Sequence, residues 1–157
     1  MLHLTSMEAD HRHIATAVEK AIEREKRSAR GDTVRLAYLH GSLARGKADA
    51  ESDIDIGILA SASLDKAQRY ELRIRLMRSI ADTLNIPLEK IDLIILQDVP
   101  VLLQFHVIRN GIVLFEQDRS ERIAYALRVE QFYDDERYYL ERESQATIDR
   151  ILSRPAA

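Results

Sequence analysis

The chain has 157 residues, no cysteine and a formal charge of −3. That is the length of one ordinary domain. The composition excludes a disulfide framework, a thiolate zinc site and a cysteine nucleophile, and it leaves no global basic excess to drive nucleic-acid binding.

No apolar run approaches the roughly 20 residues of a membrane span. The opening residues, MLHLTSMEADHRH, lack a basic-then-apolar leader pattern, and the missing cysteines are compatible with a reducing compartment, so the expected location is cytoplasmic. Of the 23 basic residues, 18 are Arg and 5 are Lys. Arginine suits bidentate contact with phosphate or carboxylate, although genomic base composition explains the bias at least as well.

Thr5-Ser6-Met7-Glu8 fits a capping box and predicts a helix over 6–28, with Ile14, Val18 and Ile22 on one stripe. Gly31-Asp32 ends it. Val34 to Leu39 reads as a short apolar strand, and Gly41-Ser42 turns the chain into a short helix or loop that closes at Gly46-Lys47. An acidic loop, 49–52, leads into a second strand from Asp53 to Leu59. Ser61-Ala62-Ser63 is expected to cap a long helix over 64–84, with Leu64, Ala67, Ile74, Met77, Ile80, Ala81 and Leu84 inward. Asn85-Ile86-Pro87 stops that helix. A third strand is predicted from Glu89 to Leu96. A helix follows from Val99 to Asn110, with Pro100 in its first turn and Gly111 as its C-terminal cap. Ile112 to Phe115 makes a fourth strand, and Asp118 or Ser120 caps a last helix over 121–153 that could break near Tyr133-Asp134-Asp135. Helices and strands in this order describe an α/β fold with a small mixed sheet.

The most informative stretch is HGSLARGKADAESDIDIGIL, from His40 to Leu59. Asp53 and Asp55 stand two apart on a strand, which places both on one face. Two carboxylates held close repel unless a cation lies between them. Magnesium takes hard oxygen ligands and is commonly held by one or two carboxylates plus substrate phosphates. Asp92 interrupts the apolar strand Ile91 to Leu96, which is costly unless it is paired or metal-bound. Three carboxylates from two strands could hold two magnesium ions. Gly41 allows the backbone to approach phosphate, and Ser42 adds a hydroxyl and an N–H donor. Each feature alone has an ordinary reading: solvated acids at a strand entry, a plain turn, a surface-facing strand residue. Arg45 or Lys47 could neutralise phosphate; Arg45 could equally pair with Asp49 or Glu51 and hold the loop. His40 reads as a strand-end residue rather than a base.

Gly-Ser, ten residues, Asp-x-Asp and a later strand Asp resemble the nucleotidyltransferase fold of the DNA polymerase β superfamily. The context Gly41-Ser42-Leu43-Ala44-Arg45-Gly46 with Ser52-Asp53-Ile54-Asp55 is similar to its small branch, the minimal nucleotidyltransferases, whose MntA-type members are antitoxins of HEPN-domain ribonuclease toxins. The resemblance implies one nucleotidyltransferase domain over 1–157, with an N-terminal helix 6–28, a mixed four-stranded core over 33–116 and a helical tail over 118–153. It implies that Gly41 and Ser42 hold the β,γ-phosphates of ATP, that Asp53 and Asp55 bind magnesium, and that Asp92 binds the catalytic magnesium and helps activate the acceptor. AMP would pass to a hydroxyl with release of pyrophosphate. In the MntA-type proteins that hydroxyl belongs to a tyrosine of the toxin.

The residues say less about the acceptor. Only a helix at each end lies outside the core, which suggests that a partner protein brings the acceptor. The tail holds Tyr125, Phe132, Tyr133, Tyr138 and Tyr139, five of nine aromatics, beside Arg128, Arg137 and Arg142; such residues are enriched at interfaces. About half of these rings are expected to pack onto the sheet instead. Transfer to a small molecule such as an aminoglycoside predicts an acidic pocket near the site, from Glu130, Asp134, Asp135 and Glu136. A non-catalytic antitoxin predicts that the acids are dispensable. The sequence does not give the identity of the acceptor, the number of AMP groups transferred, the nucleotide preference or the oligomeric state.

Overall fold

The structure, a computed structural model, describes residues 2–49 and 51–153, with side chains described for 10–28, 31–49 and 51–153. The elements are α1 (Leu2–Glu25), β1 (Val34–His40), α2 (Gly41–Ala44), β2 (Ile54–Ala60), α3 (Lys66–Leu84), β3 (Ile91–Ile95), α4 (Val101–Asn110), β4 (Ile112–Glu116) and α5 (Arg119–Leu152). The four strands form one sheet in the order β3-β2-β1-β4. β1 runs antiparallel to both β2 and β4, whereas β2 and β3 are parallel. A parallel pair needs a long crossover, and α3 supplies it.

Alternation along β1 and β2 divides the core between the two faces of the sheet. Ala37, Leu39, Ile56 and Ile58 face α1 and α3, where they join Ile14, Val18, Ile22, Leu72, Leu76 and Ile80. Leu36, Tyr38 and Leu59 face the other way, onto Val107 of α4 and Tyr125 and Val129 of α5. The sheet is therefore covered on both sides, but α4 is short and leaves one end of its face open.

α1 begins at Leu2, ahead of the expected Thr5 cap, so that segment is helical throughout; the capping side chains themselves lie outside the described residues. Its last turn, Lys26–Arg30, widens to π-helical geometry, and Gly31 leaves it at φ +72°. α3 is capped by Asp65, not by Ser61 or Ser63. Asp65 accepts from the backbone N–H of Gln68, and the Gln68 side chain accepts in return from the Asp65 N–H. Ser61 and Ser63 hydrogen-bond each other at 2.9 Å. The inward stripe of α3 is Leu72, Leu76, Ile80 and Ala81. Leu72 and Leu76 lie outside the expected face, because the i, i+4 line through Ile80 runs back through them, and Ala67 is exposed in the first turn. β3 is shorter than expected, since single 3-10 turns, Leu88–Lys90 and Leu96–Asp98, take up its ends.

α5 is one unbroken helix of 34 residues; no break occurs at Tyr133-Asp134-Asp135, because Tyr133 is held in place by stacking on Phe105, with centroids 3.9 Å apart. Tyr125 is buried and donates to Gln104 Oε1 at 2.7 Å. Arg35–Glu121 and Arg122–Glu116 ion pairs tie the first turns of the helix to the sheet. Beyond Tyr133 every described residue is exposed, including Tyr138 and Tyr139. Among the described residues, no helix is long and apolar enough to cross a membrane.

The segment after β3 is fixed to α3 by Arg69, whose guanidinium donates to both Asp98 oxygens at 2.9 and 2.6 Å. These bonds hold the Asp98 carboxyl below its ordinary range. A carboxyl with a lowered folded value stabilises the fold above its unfolded value and loses that contribution as pH falls through the folded one. Urea titrations of wild type and Asp98→Asn are therefore expected to differ at neutral pH and to converge below about pH 4. A gap that persists unchanged into strong acid contradicts this assignment.

Candidate active site

β1 ends at His40, and the chain turns at Gly41 with φ +71°, a conformation that favours glycine. Space demands glycine as well. A Cβ at Gly41 would collide with Asp55 Oδ2 and lie 2.9 Å from Asp55 Cγ. The short α2 follows and is closed by backbone bonds from Arg45 N–H to Gly41 O (3.3 Å) and from Lys47 N–H to Ser42 O (3.0 Å). His11 of α1 lies 3.0 Å through Nε2 from Leu43 O, which anchors this turn from the far side.

The strand register sets the rest. His40 pairs with Asp55 across the antiparallel β1–β2 ladder, and Asp55 pairs with Asp92 across the parallel β2–β3 ladder. Residues paired across a ladder share a face, so His40, Asp55 and Asp92 stand abreast on three adjacent strands. Two residues along from Asp55, a Cβ on Gly57 would meet Val107 at 3.1 Å, which puts the row on the α4 face. Asp53 precedes β2 by one residue. His40 and Asp55 are half-buried, whereas Asp53 and Asp92 are exposed. The row thus grades from the protein interior at β1 to solvent at β3.

Its electrostatics are unbalanced. Burial raises the Asp55 carboxyl above its ordinary range; His40 opposes the rise, Asp92 and Asp53 add to it, and Arg45 opposes it. Burial likewise lowers the His40 imidazole against the pull of Asp55 and Asp92. Like-charged carboxylates in one row disfavour their own ionisation, and a cation among them reverses that. Among the described residues, no group of three or more His, Cys, Asp or Glu side chains is gathered to hold a metal by itself. The donor set nevertheless fits magnesium, whose hard-oxygen shell is typically completed by substrate phosphates and water rather than by a full protein cage.

The sequence-predicted residues fare unevenly. Gly41 abuts Asp55, Asp92 stands beside Asp55 in the β2–β3 register, and Asp53 is exposed one residue ahead of β2. Ser42 stands one residue into α2 and is half-buried. Arg45 is exposed but close enough to oppose the rise in Asp55. Its alternative partners are engaged elsewhere: Asp49 Oδ1 accepts from Glu51 N–H at 3.0 Å and Ser52 Oγ at 3.1 Å, and the Glu51 carboxylate lies 3.6 Å from Lys90 Nζ. Lys47 is exposed, and among the described residues no hydrogen bond or ion pair ties its side chain to the row. Sequence reasoning passed over His106 and Asn110 of α4, which line a cavity with His40, Gly41 and Arg45. The only signal for them was their i, i+4 spacing beside Gly111.

The contact between Gly41 and Asp55 can be measured. Gly41→Ala is expected to destabilise the fold, and Asp55→Ala in the same chain is expected to recover part of the loss. A double-mutant cycle in urea should give a coupling of roughly 1 kcal/mol. Additive losses would show that the two residues do not touch.

The family model described as polymerase beta nucleotidyltransferase matches residues 23–120. Protein adenylyltransferase MntA of Shewanella oneidensis is 30% identical over 124 residues, covering 79% of this chain and 81% of the relative. A chain of a solved toxin-antitoxin complex with AMP-PNP superposes with a TM-score of 0.58 at 28% identity, covering 86% of this chain and 98% of the other. A chain of the tri-AMPylated Shewanella oneidensis HEPN toxin in complex with MNT antitoxin gives a TM-score of 0.57 at 24% identity, over 91% of this chain and 99% of the other, which shows a shared fold. The match over residues 23–120 and the identity with MntA place this chain in the polymerase β nucleotidyltransferase family.

Proposed function

We propose that this chain is a magnesium-dependent nucleotidyltransferase that moves AMP from ATP onto a hydroxyl, a tyrosine, of a partner HEPN ribonuclease toxin and so acts as its antitoxin. The observation that carries the reading is the in-register pair Asp55–Asp92, with Gly41 packed against Asp55. Its likeness to a protein adenylyltransferase and to a chain of a complex holding AMP-PNP, an ATP analogue, supports the same donor.

Asp53, Asp55 and Asp92 would hold two magnesium ions. When bound, these supply charge neutralisation at the phosphates and a more acidic acceptor hydroxyl. Gly41, lacking a side chain, leaves the turn open to the β,γ-phosphates, and Ser42 offers its hydroxyl and N–H to them. Arg45 adds a cation beside Asp55, and Lys47 a second at the rim. Asp92, at the exposed end of the row, receives the acceptor and draws off its proton. The acceptor oxygen bonds to the α-phosphorus as the bond to the bridging oxygen breaks, and pyrophosphate leaves. Residues 33–116 form the catalytic core within one nucleotidyltransferase domain over 1–157, and the tail over 118–153, with Phe132, Tyr138 and Tyr139 exposed, offers a surface to the partner. Use of ATP supports a cytoplasmic location.

The aminoglycoside alternative finds less support. Glu130, Asp134, Asp135 and Glu136 lie on α5, and none lines the cavity beside Gly41.

The test is transfer from α-labelled ATP to a copurified HEPN partner. The expected result is AMP on a tyrosine of the partner, loss of its ribonuclease activity, and a drop of roughly a hundredfold or more in transfer for Asp55→Asn. Pyrophosphate release that needs an aminoglycoside and no protein acceptor would establish the alternative. Full protection by Asp55→Asn would show that binding alone neutralises the partner.

A further inference from the structure

β3 is an edge strand, paired with β2 on one side only. A groove of about 220 Å³ lies at that edge, between Lys66, Tyr70 and Arg73 of α3 and the end of β3 at Ile94 and Val99. The three α3 residues follow one another at four and three positions and so share one helical face. Arg73 marks one end of the groove, where its Nε donates to the carbonyl of Leu93, the neighbour of Asp92. Lys66 marks the other end, roughly 10 Å away along α3. Tyr70, between them, is 62% exposed. Ile94 is half-buried and stands two residues from Asp92, on the same face of β3 and about 7 Å along the strand.

The charge of the groove is one-sided. Asp98 is the one acid that lines it, and both its oxygens are taken by Arg69. Among the described residues, Lys66 and Arg73 form no ion pair. Arg73 already occupies the Leu93 carbonyl at this edge, so the groove suits side chains better than an added strand. Asp92 is the exposed end of the carboxylate row, and an acceptor reaches it from the open side of β3. A polypeptide with its tyrosine at Asp92 lays its flanking residues along the same edge. The groove is as long as about three residues of extended chain. We propose that it binds the acceptor protein beside the modified tyrosine, with an apolar side chain against Ile94 and Tyr70 and acidic residues at Lys66 and Arg73. The inference rests on the protein-acceptor reading and adds a preference to it: a tyrosine flanked by apolar and acidic residues. Fixing that segment holds the hydroxyl in line with the α-phosphorus, which favours reaction by orientation alone.

Transfer from α-labelled ATP to the HEPN partner, separated from the copurified complex and titrated against the full chain, tests the inference. Tyr70→Ala and Lys66→Glu are each expected to raise KM for the partner roughly tenfold. Calorimetric affinity for AMP-PNP in magnesium and the melting temperature should stay at their wild-type values, because both side chains are exposed. Lys66→Arg, which keeps the charge, should restore the wild-type KM; a rise as large as that of Lys66→Glu would count against a charge-reading groove. Wild-type KM in both Tyr70→Ala and Lys66→Glu would overturn the inference while leaving the transfer reading intact. Weaker AMP-PNP binding in either variant would overturn it too, since the groove would then serve the donor. Absence of transfer by the wild type itself would remove both.

Discussion

The position of the Asp55 carboxylate governs the open end of the sheet. Asp55 lies against the one residue at that junction with no side chain, in a turn whose backbone already favours glycine. A side chain at Gly41 would push the Asp55 carboxylate out of its place beside the turn, while the backbone register with His40 and Asp92 stays as the ladders set it. The contact couples two elements that sequence separates by the whole acidic loop, and it makes the Gly-Ser turn and the Asp-x-Asp pair a single structural feature.

The remainder of the fold serves that alignment. The parallel β2–β3 register puts Asp92 beside Asp55, and α3 enforces it by crossing over the sheet with Leu72, Leu76 and Ile80 buried against it. α1 packs on the same side and reaches the Gly41 turn through His11. α4 covers the opposite face only in part, so the row stays open where substrates must approach. Gly111, where a Cβ would collide with Val107 O and lie 3.0 Å from Leu39 O, lets α4 end directly against β1. That close ending brings His106 and Asn110 over the Gly41 turn.

Much of this was legible in the sequence, and the failures have physical causes. Period-two placement and the apolar run around Asp92 located Asp55 and Asp92 on strands, whereas Asp53 stands one residue ahead of β2; Gly-Ser marked the turn. The register that sets Asp55 opposite Asp92 was not legible, since pairing between residues 37 positions apart leaves no local trace. The α3 cap was misplaced because serine and aspartate are both good caps, and only the reciprocal bond with Gln68 decided between them. The sequence leaves open a break in α5 near Tyr133-Asp134-Asp135; the helix is continuous there, with Tyr133 stacked on Phe105 of α4. His106 and Asn110 carry no motif; they become visible only when α4 is laid beside β1. The tail aromatics divide by helix face, with Tyr125 and Tyr133 packed and Phe132, Tyr138 and Tyr139 left exposed.

If the proposed site is right, Asp55 and Asp92 act together, as one row completed by a cation and a triphosphate. Titration of manganese, followed by electron paramagnetic resonance with and without AMP-PNP, measures this directly. Manganese is expected to bind weakly alone and much more tightly with the nucleotide present, and Asp55→Asn and Asp92→Asn are each expected to abolish the enhancement. Equal manganese affinity with and without nucleotide, or an enhancement that survives Asp92→Asn, would contradict it.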